Sequence, residues 1–126
     1  MMRVFSLMVF LLHSQQVNAE EKREYIVPEG EALRSGRLIW VSNCATCHGF
    51  GIADAPIPMQ PEDWKHRVAK ARPLLYQHAI DGFIGESYSE MPARGGNVKL
   101  SDTQVKAAVD YMLFLANFYI KKQGEL

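Results

Sequence analysis

The pentapeptide Cys44-Ala45-Thr46-Cys47-His48 constrains this chain more than any other stretch of its sequence. Two thiols at this spacing can each add across one vinyl group of a haem, and the histidine that follows can then bind the iron. Cys44 and Cys47 are the only cysteines in the chain, so two thioether bonds consume both. We therefore predict one covalently attached haem c, with its iron bound by His48.

Three other uses of this motif are open: a redox-active cysteine pair, half of a zinc site, or a plain disulfide. A thioredoxin-like pair follows a strand and opens a helix, whereas this pair follows a helical stretch and opens a loop rich in glycine and proline. Zinc would need two more ligands, and the candidates, His66 and His78, lie in segments that are predicted to be amphipathic helices. Both contexts favour haem.

The N-terminus has the pattern of a secretory signal peptide over residues 1–19, with Arg3, a short apolar run and a small residue, Ala19, at its end. The apolar run is too short to span a bilayer, although an uncleaved anchor is an alternative. Export suits a covalently attached haem, so we predict a periplasmic protein. The mature chain then has an N-terminal arm, residues 20–30, and one monohaem domain, residues 31–126.

The charge balance of the mature chain bears on whether it binds nucleic acid. Removal of the signal peptide takes Arg3 from the 14 Lys and Arg residues, which leaves 13 against 14 Asp and Glu. A nearly neutral chain gives no indication of a nucleic-acid partner. No membrane span is predicted in the mature chain.

Apolar residues at helical spacing predict helices and no sheet. The first helix covers residues 31–43 and leads into the cysteine motif, and two short helices follow over 62–70 and 73–81. The last helix begins after Ser101, which forms a capping-box pattern with Gln104. No stretch alternates apolar and polar residues at a period of two, so the predicted fold class is all-α.

A glycine inside the first helix predicts how the helices pack. Gly36 costs about 1 kcal/mol relative to alanine in a helix. Such a glycine also lets two helix backbones approach closely and gives an aromatic ring a place to lie. We therefore expect Gly36 and Trp40 to meet Tyr111 of the last helix.

The order of these parts resembles class I c-type cytochromes: an attachment motif near the start of the mature chain, a methionine ahead of the last helix, and a helix on each side. The resemblance implies N- and C-terminal helices that cross, with short helices and loops wrapping one covalent haem. It covers about residues 31–115. The sequence motifs are most like those of cytochrome c5: Cys-His-Gly-Phe-Gly at 47–51, Ala-Pro at 55–56, Trp64, Ile-Asp-Gly-Phe at 80–83, Met-Pro-Ala-Arg-Gly-Gly at 91–96 and Ala-Val-Asp-Tyr-Met at 108–112.

The sequence departs from cytochrome c5 in two places. That family often carries another cysteine pair before the last helix, but residues 96–100 read Gly-Asn-Val-Lys-Leu. Residues 84–90 lengthen a link that is usually short, which alters the geometry beside the haem and the surface open to partners.

Three methionines could reach the iron as its sixth ligand. Met112 lies on the core face of the last helix and is expected to pack there. Met59 follows His48 by only eleven residues, a short path to the opposite haem face. Met91 has a long approach and occupies the family's ligand position, so it is the predicted ligand. Met59, a histidine and an open site are the alternatives.

The resemblance implies roles for three further residues. The carbonyl of Pro56 is expected to accept a hydrogen bond from the second ring nitrogen of His48 and so to orient the imidazole. Trp64 and Arg67 match residues that contact a haem propionate. Ordinary loop and core roles are the alternatives for all three.

With His48 and Met91 on the iron, no substrate could reach the metal, so we predict an electron transfer protein and not an enzyme. The expected function is a periplasmic one-electron carrier whose partners are redox proteins: an oxidase, a reductase or a dehydrogenase. A haem-bearing subunit that stays bound to one redox enzyme is the first alternative. A gas sensor or peroxidase-like enzyme with an open iron site is the second.

Overall fold

The computed structural model describes residues 25–126, in which helices and loops surround one core. The predicted signal peptide and residues 20–24 of the predicted arm lie outside the described residues. The largely helical architecture confirms the all-α prediction. The helices are α1 (Glu31–Asn43), α2 (Ala45–His48), α3 (Pro61–Trp64), α4 (Arg72–Asp81) and α5 (Asp102–Gly124), the strands are β1 (Phe83–Ile84) and β2 (Glu90–Met91), and two 3₁₀ turns cover Ile52–Asp54 and Ala93–Gly96.

Helices α1 and α5 cross at the predicted glycine. A Cβ atom added to Gly36 would lie 2.9 Å from the carbonyl carbon of Ala107 and 3.4 Å from the Cβ of Tyr111. The rings of Trp40 and Tyr111 are 5.6 Å apart between centroids, one helical turn along. The expected meeting of Gly36 and Trp40 with Tyr111 is confirmed.

Helix α5 begins at the predicted cap and supplies much of the core. The Ser101 hydroxyl accepts from the Gln104 backbone N–H, and the Gln104 side chain accepts from the Ser101 N–H, which completes the capping box. Among residues 25–126, no helix is both long and apolar enough to cross a membrane. The buried residues of α5 are Val105, Ala108, Val109, Tyr111, Met112, Leu113, Leu115 and Ala116.

Helix α4 has the predicted start and end signals. Proline lies in its first turn, and the chain leaves the helix at Gly82 with φ of +86°. Arg72 and Tyr76 both donate to the Asp110 carboxylate of α5, at 3.0 and 2.5 Å. These bonds fix α4 against the last helix.

The predicted helix over residues 62–70 is wrong in length, because α3 ends at Trp64. In a continuing α-helix the Arg67 N–H would bond to the Asp63 carbonyl. Instead the Arg67 guanidinium donates to that carbonyl, and the Arg67 N–H bonds to Trp64 O at 2.9 Å. The side chain thus competes with the backbone for one acceptor, and the remaining residues form turns.

The extension at residues 84–90 forms a small hairpin that the sequence did not predict. Strand β1 pairs with β2 in antiparallel register, Phe83 opposite Met91 and Ile84 opposite Glu90. Two-residue strands are too short to show a period of two, so periodicity could not detect them. The hairpin brings Met91 next to the end of α4.

The described end of the predicted arm lies against the helix crossing. Tyr25 packs edge-on against Trp40, with centroids 4.8 Å apart, and its carbonyl accepts from Arg37 Nε at 3.0 Å. The Tyr111 hydroxyl donates to Ile26 O at 2.8 Å. These contacts cover one side of the aromatic cluster.

Candidate haem site

The cysteine motif lies at the junction of α1 and α2. The Cys44 N–H makes the last helical bond of α1, to Trp40 O at 2.8 Å, and the N–H groups of Cys47 and His48 bond back to Cys44 O at 3.2 and 3.0 Å. One tight turn therefore holds both thiols and the imidazole together. The two cysteines are half-buried and are not joined to each other.

The state of the Cys44 thiol argues against a redox-active pair. Burial, with the neighbouring Cys47 as a smaller cause, raises the pKa of Cys44 to about 11. Reactive cysteines in Cys-x-x-Cys motifs have a lowered pKa, because the thiolate is the nucleophile. Before haem is attached, the Cys44 thiol is therefore not activated as a redox nucleophile would be.

His48 is buried, with 7% of its surface exposed, and within residues 25–126 only one of its ring nitrogens has a hydrogen-bond partner. Nδ1 lies 2.9 Å from the Pro56 carbonyl oxygen, which can only accept, so Nδ1 carries the proton. Burial lowers the pKa of His48, the bond to Pro56 opposes this, and nearby Arg67 lowers it further. The result is a neutral imidazole whose Nε2 lone pair can bind a metal.

An apolar cavity lies beside His48, between α1, α4, α5 and the loop after β2. Met91 and Met112 both line it, whereas Met59 is half-buried against the core and is not one of the lining residues. Met112 belongs to the buried face of α5, and Met91 approaches from the hairpin. The lining residues are Trp40, Cys44, His48, Ala79, Met91, Arg94, Gly95, Leu100, Val105, Ala108, Val109 and Met112.

Two buried donors test whether these residues fit a haem. Within residues 25–126 the indole N–H groups of Trp40 and Trp64 are buried and have no hydrogen-bond partner. A buried N–H without a partner costs about 1–3 kcal/mol. A haem bears carboxylate acceptors, and an apolar cavity beside two thiols and a free imidazole nitrogen suits its ring and iron. The residues present fit the group.

Comparison with known proteins agrees with this geometry. A protein-family model described as "Cytochrome C oxidase, cbb3-type, subunit III" matches residues 31–112. Cytochrome c-555 of Prosthecochloris aestuarii is 37% identical over 84 residues, which cover 64% of this chain and 85% of that protein. Cytochrome c5 of Azotobacter vinelandii is 34% identical over 87 residues, which cover 66% and 96%. The chain is a class I c-type cytochrome.

A solved structure supports the same conclusion. It is a crystal structure of an electron transfer complex of nitrite reductase with cytochrome c; one chain of it matches with a TM-score of 0.57 and 30% identity, over 65% of this chain and 94% of that one. The predicted class I fold is confirmed. The cytochrome carries one covalently bound haem c and is an electron transfer protein, as its relatives are.

The other predicted residues are distributed around the cytochrome's core. Trp64 is buried at 3% exposure, and Arg67 is half-buried and close enough to His48 to affect its pKa. His66 is exposed, and His78 stacks on Phe83 with centroids 4.1 Å apart. In the part of the chain that the structure describes, no three His, Cys, Asp or Glu side chains could hold a metal, so the zinc alternative lacks a ligand set.

Sequence reasoning missed several residues that face the haem cavity. Arg94 lines it while its guanidinium donates to Leu100 O at 2.9 Å and pairs with Asp102 at 2.7 Å. Arg94 adopts φ of +56°, for which an arginine gives no sequence signal. Gly95 was recognised only as part of a motif, although a pair of glycines after a predicted ligand does indicate a close approach of the backbone.

Proposed function

We propose that this cytochrome is an exported, periplasmic one-electron carrier in a respiratory or dehydrogenase-linked chain, with His48 and Met91 as its axial ligands. The observation that carries the proposal is that both side chains line one apolar cavity. Of the two nitrogens of His48, only Nε2 is free to bind the iron, since Nδ1 is bonded to Pro56.

Axial ligation explains why such a site carries electrons and does not bind substrates. When bound, the haem would supply one-electron chemistry, and a thioether sulfur from Met91 on its iron would raise the reduction potential. The chain's own contribution is to supply both ligands, to orient His48 through the Pro56 carbonyl and to exclude water with apolar side chains.

The remaining site residues have proposed roles in holding the haem. Cys44 and Cys47 form the two thioether bonds. Trp64 donates its indole N–H to a propionate, which is supported by the burial of that group and by its lack of a partner within the described residues. Arg67 supplies positive charge beside the same propionate while its guanidinium also bonds to the Asp63 carbonyl.

Export and the class of partner complete the proposal. Residues 1–19 act as the signal peptide, and the haem is attached outside the cytoplasm. The partners are redox proteins that supply and accept single electrons. The matched solved structure supports this, because it describes an electron transfer complex of a reductase with a cytochrome c.

A second candidate function is favoured by the description of the matching family model. That model is named for subunit III of an oxidase, so the chain could instead be a dedicated redox subunit of one enzyme. Such a subunit would stay bound to its enzyme through purification.

Two measurements test these proposals. The periplasmic protein, denatured in acid and weighed, should have the mass of the chain from Glu20 plus one haem; a bare chain mass would end the haem assignment. Native purification should then give a monomeric cytochrome that resists carbon monoxide when reduced. Stoichiometric co-elution with an enzyme favours the subunit function, and rapid carbon monoxide binding by wild type contradicts the closed axial site.

A further inference from the structure

One hydrogen bond connects the two sides of the haem cavity. Asn97 Nδ2 donates to Asn43 Oδ1 at 2.8 Å, across 54 positions of sequence. Asn43 is the last residue of α1, directly before Cys44, and Asn97 directly follows the 3₁₀ turn Ala93–Gly96. We call this contact the Asn43–Asn97 bridge, and we call residues 82–97, which carry Met91, the methionine segment.

Backbone partners fix the direction of the bridge. Asn43 Nδ2 donates to Ile39 O at 2.9 Å, so Asn43 presents its oxygen to Asn97. Asn97 Oδ1 accepts from the Lys99 N–H at 3.1 Å, so Asn97 presents its NH₂ group to Asn43. Neither amide can rotate by half a turn without losing a backbone bond. The bridge therefore has a defined donor and a defined acceptor.

The backbone of the methionine segment also lies against the end of α1. Gly95 has φ of +62°, and a Cβ atom added to it would lie 3.0 Å from Asn43 O. The segment is bonded to the start of α5 through Arg94, which contacts Leu100 O and Asp102. The bridge is thus a side-chain bond that ties this segment to α1, beside the haem attachment point.

We propose that the Asn43–Asn97 bridge positions Met91 by holding the methionine segment closed over the cavity. This inference rests on the proposed axial role of Met91. The strands of the segment are only two residues each, and Ile84 and Tyr88 are exposed. Apolar burial therefore stabilises the segment weakly, and it can open locally without global unfolding.

The bridge should control the fraction of molecules with an open site. A ligand that binds only the open form binds in proportion to the population of that form. Loss of one hydrogen bond should raise that population about two- to tenfold. Because the bridge is absent both in the open form and in the unfolded chain, its loss should favour opening and global unfolding by similar free energies, so the carbon monoxide rate is the readout that is specific to this segment.

The direction of the bridge gives an asymmetric test with carbon monoxide as the probe. Asn97→Asp keeps the oxygen that accepts from Lys99 but replaces the donor, so reduced protein should bind carbon monoxide about two- to tenfold faster than wild type. Asn43→Asp keeps the acceptor and should remain near the wild-type rate. Asn97→Ala tests the loss without an added charge and should resemble Asn97→Asp.

A matched control and a double variant separate the bridge from general effects. Asn117→Asp removes a similar amide donor, which bonds to Leu113 O at 2.9 Å on α5, and should leave the carbon monoxide rate unchanged. Asn43→Ala and Asn97→Ala each delete the same bond, so the double variant should be no faster than the faster single one. The ferric charge-transfer band of methionine ligation should persist in all of these variants, because the open form stays a minor population even after a tenfold rise.

The outcomes distinguish this inference from the ligand assignment beneath it. If wild type lacks the methionine band or binds carbon monoxide rapidly, both the Met91 ligand and the role of the bridge are overturned. If wild type is closed and the Asn97 variants are equally closed, the bridge alone is overturned. The bridge is also overturned if Asn43→Asp opens the site as much as Asn97→Asp, because loss of the bond to Ile39 would then be the cause.

Discussion

The α1–α5 crossing and the methionine segment border the same cavity, yet different forces hold them in place. At the crossing, Trp40 and Tyr111 are fully buried, and Gly36 lets the two backbones touch. In the methionine segment, Tyr88 is 90% exposed and the backbone turns through residues with positive φ. Side-chain packing stabilises the crossing. The methionine segment depends on glycines that permit its turns and on a few hydrogen bonds.

This difference matches the two tasks of the site. The side that attaches the haem must be rigid, since Cys44, Cys47 and His48 continue directly from α1. The side that covers the iron needs only enough local stability to keep the fraction of open molecules small. Changes at the crossing should therefore alter global stability, and changes in the methionine segment should alter ligation.

The largest expected effect is the loss of the proposed sixth ligand in Met91→Ala. Without the thioether, the ferric charge-transfer band should disappear, the reduction potential should fall and the reduced protein should bind carbon monoxide readily. Covalent attachment and His48 remain, so the variant should still fold around haem. Absorption spectra, redox titration and carbon monoxide mixing measure the three changes.

Two other methionines serve as controls for this prediction. Met59→Ala should change neither the band nor carbon monoxide binding. Met112→Leu removes the other methionine that lines the cavity, while it nearly conserves volume, so ligation should persist with a stability cost below about 1.5 kcal/mol. Loss of the band in either control would reassign the ligand to that residue.

The next effect is on global stability and comes from Gly36→Val at the crossing. The added side chain would overlap the Ala107 backbone, which cannot move without separating the helices. Overpacking should lower the free energy of unfolding by about 2–4 kcal/mol, measured by chemical denaturation.

A glycine on α5 provides the matched control for Gly36→Val. A Cβ atom added to Gly124 meets no described atom within 4 Å, so Gly124→Val should stay within about 0.5 kcal/mol of wild type. A loss below about 0.5 kcal/mol in Gly36→Val itself would show that the crossing is not tightly packed.

The two regions also differ in how far the sequence could predict them. The crossing followed from a glycine, two aromatic residues and a capping box, all of which are local signals on regular helices. The Asn43–Asn97 bridge could not be predicted, because it joins residues 54 positions apart and neither asparagine lies in a motif. The hairpin was missed because its strands are too short to have a period.

The cysteine motif was the most informative part of the site for a related reason. Its residues are so close in sequence that one turn of backbone brings them together, so the spacing alone predicts the arrangement that haem attachment needs. Trp40 shows the limit of this reasoning. Its contact with Tyr111 was predicted, but the sequence gives no sign that its indole N–H is buried without a partner among the described residues.

A smaller effect is expected from Gly82→Ala, where α4 meets the methionine segment. Gly82 has φ of +86°, and an added Cβ would lie 2.9 Å from Met91 O and 3.0 Å from Ala93 N. The strain, about 1–3 kcal/mol, can be relieved by moving the methionine segment outward. We therefore expect faster carbon monoxide binding. The free energy of unfolding should fall by less than the full strain.

The control for Gly82→Ala is Gly30→Ala, just before α1. Gly30 has a similar φ of +89°, but no described atom lies within 4 Å of an added Cβ. The backbone strain should then lower stability without changing carbon monoxide binding. Equal carbon monoxide rates in the two variants would mean that contact with Met91 is not what opens the site.

The smallest effect removes one hydrogen bond from the crossing, for comparison with the bridge in the methionine segment. Burial raises the pKa of Tyr111 to about 12, so its hydroxyl is protonated at neutral pH and donates to Ile26 O. Tyr111→Phe keeps the buried ring and should lower the free energy of unfolding by about 1 kcal/mol, with no change in carbon monoxide binding. Asn97→Ala, which also deletes one bond, should lower the free energy of unfolding by a similar amount but should also speed carbon monoxide binding. If both variants shift stability and ligation in the same proportion, the two regions open as one unit, and the distinction between a packed side and a closing side is wrong.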